Sequence, residues 1–276
     1  MSIKAVYGGA SIGRTLYEDE DIEKAYKLLE EGGCNTIDTA RIYGDSEEWL
    51  GKTGAGKRFI IDSKAPGGSH RRQQHQHDHT PVRQGDSRAP PVPASVDVYY
   101  LHAPDPSVEL EDQLKGITKH TRRANFQALR HQGTIARSLE SRKSSSSRLC
   151  KLEWHVVYSP TAGGLLTRTA QQLSDGEDAG RFAKGHALEG LYGGLYKQAV
   201  ALQALDLWGG KSEGPLDAAG QSWHIVGVAF DSPSMPSMVT RLSSGASKHS
   251  QIAGNAGWLK RGSVGEAAKA KIEEIW

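Results

Sequence analysis

The chain has 276 residues, with 34 lysines and arginines against 32 acids and a formal charge of +2. That balance argues against a protein that tracks nucleic acid or an anionic membrane by charge, and the length suits one large α/β domain, read here as a single domain over residues 1–276. Cys34 and Cys150 cannot build a disulfide framework, MSIKAVYGGASIGR lacks the apolar core of a signal peptide, and no run is long enough to span a bilayer, so a reduced, soluble, cytoplasmic protein is expected.

Residues 18–33, EDEDIEKAYKLLEEGG, predict a helix: Ile22, Ala25, Tyr26 and Leu29 fall at helical spacing, acids crowd the first turn, and Gly32-Gly33 closes the end. Three apolar runs follow, NTIDTA from 35, RFIIDSKAP from 58 and VDVYYLHAPD from 96, each short enough for a buried strand. They deliver Asp38, Lys64 and His102 at their ends. In a barrel of parallel strands the C-terminal rims converge on one mouth, so a carboxylate, an ammonium and an imidazole at three strand ends predict a shared site. Tyr43 follows Asp38 in a polar, glycine-punctuated turn. By itself it reads as an ordinary loop tyrosine, because a phenol with a free pKa of about 10 is a poor acid at neutral pH unless a neighbour lowers it.

Farther along, WHVVYSPTAGGLLTR from 154 predicts a strand entering a glycine turn and then a helix, a place where backbone N–H groups meet phosphates. Residues 186–210 read as a loop leading into a helix, and 264–276 as a terminal amphipathic helix with Ala267, Ala270, Ile272 and Ile275 near one side.

The motifs DTARIYGDSEEWLG, IIDSKAPGG, VDVYYLHAPD, YSPTAGGLLT, LEGLYGGLY and GASKHSQIAGN, in that order, resemble those of the aldo-keto reductases, more narrowly the fungal branch similar to aflatoxin-aldehyde reductases. The resemblance extends over roughly two-thirds of the chain. It implies a (β/α)₈ TIM barrel with a catalytic tetrad at Asp38, Tyr43, Lys64 and His102. In that tetrad the Lys64 ammonium favours the phenolate of Tyr43, Asp38 pairs with Lys64 and also borders the cofactor, and His102 orients the substrate carbonyl. The implied reaction is NADPH-dependent reduction of an aldehyde or ketone to an alcohol, with Tyr43 protonating the oxygen, as a step in fungal secondary metabolism.

For NADP(H), the resemblance implies that Tyr158 stacks on the nicotinamide and that Ser159, Gly163, Leu165 and Arg168 belong to the pyrophosphate-holding turn. Ser247 and Lys248 would meet the 2′-phosphate, with Gln251 and Asn255 at the ribose-adenine end; the cation at Lys248 argues for NADP over NAD. Gly254 departs from the longer polar residue common there, which weakens adenine contact. The implied partner is a small carbonyl compound, with no nucleic acid or membrane. The alternative is a degenerate, catalytically impaired homologue or a non-enzymatic, cofactor-sensing regulatory partner, as in the potassium-channel β subunits that share this fold.

Three stretches interrupt the pattern: 69–95, 119–154 and 211–244. The first is rich in His, Arg, Gln and Pro without helical period; His70, His75, His77 and His79 match no standard zinc spacing, so no metal is expected. One hypothesis is translation one base out of frame, because shifting its degenerate codons permits a capped helix start. A native transcript encoding these residues without interruption, with a folded product, would sink it. The second stretch, basic and serine-rich, reads as a solvated segment; it offers no match to the Ser-Asn pair and Gln that hold the nicotinamide carboxamide in the family. The third replaces the usual helix and strand before GASK. The expected barrel is therefore incomplete or irregular in these three stretches.

Overall fold

The computed structural model describes residues 4–65, 96–102, 108, 112, 126–131, 155–159, 161–174, 180–186, 189–199, 201–203, 205–206 and 239–259. The chain divides into two compact units, Met1–Val157 with Thr240–Ile252, and Tyr158–Val239 with Ala253–Trp276.

The first unit opens with β1 (Lys4–Gly8), α1 (Asp19–Glu31), β2 (Thr36–Asp38), α2 (Ser46–Lys52), β3 (Ile60–Ala65) and β4 (Val96–Leu101). It continues with β5 (Phe126–His131), then β6 (His155–Tyr158) and β7 (Val239–Gly245), each strand with one end residue beyond this unit. Acids in the first turn favour the start of α1, and Gly33 takes a left-handed φ of 75° just after it, a conformation that costs glycine little. The expected face, Ile22, Ala25, Tyr26 and Leu29, is buried against Ile37 of β2 and Ile61 of β3. Ile22 and Leu29 each contribute about 1.5–3 kcal/mol by leaving water. At the surface, Arg58 bridges Glu23 and Glu30 of α1 at 2.6 and 2.7 Å, clipping the approach to β3 onto the helix.

The strand order is β5-β4-β3-β2-β1-β7-β6. The β1–β2, β2–β3, β3–β4, β4–β5 and β1–β7 pairs are all parallel. Register places Asp38 level with Gly8 and Asp62, and Lys64 level with Tyr100, so the polar strand ends share one rim. This is a TIM-barrel type of sheet, irregular in that its end strands β5 and β6 are not joined among the described residues.

Two expectations are corrected here. Within the stretch read as solvated, Phe126–His131 is a strand, with Phe126 opposite Val96 and His131 opposite Leu101. Its FQALR core carries strand-compatible apolar residues that the surrounding basic and serine-rich composition hides. Within the third interrupted stretch, Val239–Gly245 forms β7 and pairs with β1 from Lys4 to Gly8, so the strand before GASK is retained. The whole first interrupted stretch, with its four histidines, and 264–276 lie outside the described residues, as does Cys150.

In the second unit a 3₁₀ turn (Ala162–Thr167) leads to α3 (Ala170–Ser174), and α4 (Glu189–Tyr196) begins within the stretch expected to be helical. Leu165, Ala170, Leu173, Phe182 and Leu205 form its core, flanked by Tyr192 and Tyr196. Gly163 sits at φ 73°, and a Cβ there would lie 1.9 Å from the Tyr192 ring; a glycine is what lets this turn close on the aromatic cluster. The helix α5 (His249–Leu259) follows β7.

Candidate active site

The rim residues are positioned by hydrogen bonds that outlast the strands. Beyond Asp38 the Thr39 N–H donates to the Asp62 carbonyl at 2.8 Å and the Arg41 N–H to the Lys64 carbonyl at 3.2 Å, carrying the β2–β3 ladder into the turn. The Ser46 hydroxyl donates to the Gly9 carbonyl at 2.9 Å and therefore accepts from the Thr39 hydroxyl at 2.8 Å, which ties α2 back to the chain after β1. Glu47 accepts from Ser63 at 2.6 Å and from Arg41 at 3.2 Å. The turn that presents Tyr43 is thus fixed on both sides, and the Tyr43 N–H closes it on the Ala40 carbonyl at 2.9 Å.

Lys64 is buried, its side chain only 2% exposed, so its charge requires partners. The Nζ donates to Asp38 Oδ1 at 2.5 Å and to the Thr39 carbonyl at 2.8 Å. The second oxygen of Asp38 accepts from the Ser243 hydroxyl of β7 at 3.2 Å. Burial pushes the Asp38 carboxyl up from the ordinary range, while the Lys64 ammonium and the Ser243 hydroxyl pull it back down. The same Nζ lies 5.0 Å from the centroid of the half-buried Tyr43 ring, and that ring meets His102 edge-on at 5.5 Å. Four groups read from three separate stretches of sequence therefore meet at one rim. Other tyrosines of this unit have a different setting: burial pushes Tyr7 and Tyr99 up to about 12, and Tyr7 holds Ser11 and the Ala246 carbonyl instead.

Sequence reasoning missed Ser243, Asp62 and Arg241. Asp62, 1% exposed, accepts from the Val98 N–H at 3.1 Å and pairs with Arg241 at 3.3 Å. Burial pushes it up to about 7 despite Arg241, with Asp38 and Asp97 adding in the same direction. A period of two along β3 and β7 was the available signal: Asp62 precedes Lys64 by one step on the same face, as Arg241 precedes Ser243.

The residues expected to hold a cofactor fall in both units. In the first, the backbone N–H groups of Ser247 and Lys248 and the Ser247 hydroxyl converge on one oxygen, Gln251 Oε1, at 2.9, 3.2 and 3.2 Å. Lys248 is exposed and forms no ion pair among the described residues. In the second unit, Tyr158 is 63% exposed, Ser159 has a left-handed φ of 54°, and the Arg168 guanidinium lies 5.6 Å over the Phe182 ring. Leu165 is buried in the core of that unit, which leaves its backbone as what it offers a ligand. Asn255 lies four residues beyond Gln251 along α5.

Residues 4–124, a span holding all four rim groups, match the model of the Aldo/keto reductase family. Across the chain, the oxidoreductase sirO of Leptosphaeria maculans is 26% identical over 286 residues, covering 90% of this chain and 83% of that protein. Among solved structures, an aldo-keto reductase of Bacillus halodurans in its holo form is similar with a TM-score of 0.61 at 12% identity, covering 99% of this chain and 91% of that one. The glycerol dehydrogenase of Gluconobacter oxydans is similar at 0.61 and 17% identity, covering 98% and 90%. At these identities the structural likeness shows the fold alone, a TIM barrel. No helix among the described residues is long and apolar enough to cross a membrane.

Proposed function

We propose that this chain is an NADPH-dependent reductase that converts an aldehyde or ketone to an alcohol through Asp38, Tyr43, Lys64 and His102. The observation that carries the reading is the buried Lys64 ammonium, bound to Asp38 at 2.5 Å while standing 5.0 Å from the Tyr43 ring. A fixed positive charge beside a phenol favours its ionised form, so Tyr43 gives up a proton to a developing alkoxide more readily than a free tyrosine does. Asp38 keeps Lys64 charged and aimed. His102, edge-on to Tyr43, lines the same rim and orients the carbonyl oxygen toward the phenol.

The start of α5 fits a nucleotide phosphate. Three donors from Ser247 and Lys248 already gather on a single acceptor oxygen, and Gln251 Oε1 stands where an anionic oxygen would bind. Lys248 beside them supplies the charge that favours a 2′-phosphate, and so NADP over NAD. Gln251 and Asn255 would hold the ribose-adenine end, with Tyr158, Ser159, Gly163, Leu165 and Arg168 toward the nicotinamide and pyrophosphate. Bound NADPH supplies the hydride for the carbonyl carbon. The wider proposal, one cytoplasmic reductase domain over residues 1–276 serving fungal secondary metabolism, draws support from the motif order and the fungal relative.

Titration of the purified chain with NADPH, followed by protein fluorescence, tests cofactor binding, and NADPH consumption with aromatic and dicarbonyl aldehydes tests turnover. Tyr43→Phe is expected to lower kcat by about 10²–10⁴ with little change in NADPH affinity. Unchanged turnover in that variant would remove Tyr43 as the acid. Saturable NADPH binding without turnover in the native chain would favour the sensing role instead.

A further inference from the structure

We infer that Asp62 and Arg241 form a brace beneath the rim that positions Asp38 between Lys64 and Ser243, which makes both of them positioning residues; the inference rests on the reductase reading. The sheet geometry sets two rungs. On β3, Asp62 and Lys64 are two residues apart and so project to one face, as Arg241 and Ser243 do on β7. The upper rung runs from Lys64 through Asp38 to Ser243, at 2.5 and 3.2 Å. The lower rung joins Asp62 to Arg241 at 3.3 Å. In strand order β2 and β1 stand between β3 and β7, so the lower rung links non-neighbouring strands by side chains alone.

The two rungs are mechanically tied. Asp38 is in register with Asp62, and the Val98 N–H of β4 fixes Asp62 from the other side at 3.1 Å. Ser243 reaches Asp38 only while β7 keeps its distance from β2 across β1, and Arg241 is the group on β7 that spans both strands to Asp62 of β3. A buried ion pair is a weak way to gain stability, since well-packed apolar residues of similar volume often do as well or better. With Asp62 1% and Arg241 12% exposed in their side chains, this pair fits a role in fixing geometry better than one in adding stability. Positioning by the lower rung keeps one Asp38 oxygen on Lys64 and the other on Ser243, so the ammonium stays aimed past Asp38 toward Tyr43.

The test uses Arg241→Gln, Asp62→Asn, the conservative Arg241→Lys and the apolar pair Asp62→Leu/Arg241→Met in the full chain. The apolar pair is expected to unfold at or near the native temperature yet lose at least about tenfold in kcat with KM for the carbonyl within about threefold, the pattern of lost positioning. Arg241→Lys is expected to recover most of what Arg241→Gln loses. A second readout needs no turnover: acylation of Lys64 by acetic anhydride, read by mass spectrometry, is expected to be slow in the native chain and several-fold faster in the apolar pair, with the exposed Lys248 unchanged. Native-like Lys64 protection in every variant overturns the brace, as does a folded apolar pair with native kcat. A native chain that reduces no carbonyl sinks the reductase reading alone, and Lys64 labelling still decides the brace.

Discussion

The strand-end quartet and the start of α5 solve opposite problems with polar groups. At the quartet, Lys64 and Asp38 are buried and satisfy one another at 2.5 Å, with Thr39 and Ser243 taking up remaining hydrogen-bonding capacity. At the start of α5, Ser247, Lys248 and Gln251 are exposed, and the helix donors converge on a side chain from their own turn. Buried charges must be paired within the fold, so the quartet is preorganised before any ligand arrives. Exposed donors can exchange one acceptor for another at little cost, which suits the nucleotide-binding role proposed for them.

Breaking the buried side has the larger effect. Lys64→Met leaves the Asp38 carboxylate without its cation, and a loss of about 3–5 kcal/mol in chemical unfolding together with loss of turnover is expected. A stability within experimental error of the native chain would contradict the pairing.

Next comes pH. Asp62 titrates at about 7 in the folded chain against an ordinary 3.8, and Asp38 is raised in the same direction, so between these values the folded state binds the extra protons. The stabilising contribution of Asp62 is therefore full below about pH 4 and is lost as pH rises through about 7. Thermal unfolding across that window is expected to show a falling midpoint, with a shallower slope in Asp62→Asn; a slope of the opposite sign would contradict the raised Asp62.

A packing test in the second unit is smaller. Gly163→Ala adds a Cβ 1.9 Å from the Tyr192 ring at a φ of 73°, and a loss of about 1–3 kcal/mol is expected by denaturant unfolding. The exposed side gives the mildest change in stability: Lys248→Gln is expected to leave the unfolding midpoint unchanged while weakening NADPH about tenfold, with NADH hardly affected. Equal weakening of both nucleotides would place Lys248 away from the 2′-phosphate.

Much of the frame was legible. Ile22, Ala25, Tyr26 and Leu29 announced α1 by their period, and the short runs ending at Asp38, Lys64 and His102 became β2, β3 and β4. Where composition was read over long windows it misled: Phe126–His131 lies in a basic, serine-rich surrounding, and Val239–Gly245 in a stretch without clear period, yet both pair in parallel with established strands. A strand of six or seven residues needs only a neighbour with free N–H and C=O groups, and that neighbour is chosen by the fold.

By itself, the sequence determined which chemical groups stand at the strand ends, because strand and turn patterns are local and a two-residue or 3.6-residue period is written in consecutive residues. Only the tertiary structure decided their partners. Ser243 lies 205 residues from Asp38, and Arg241 lies 179 from Asp62. No local pattern encodes such pairings; they follow from β7 lying beside β1, which brings distant polar side chains into a buried space where each must be satisfied by another.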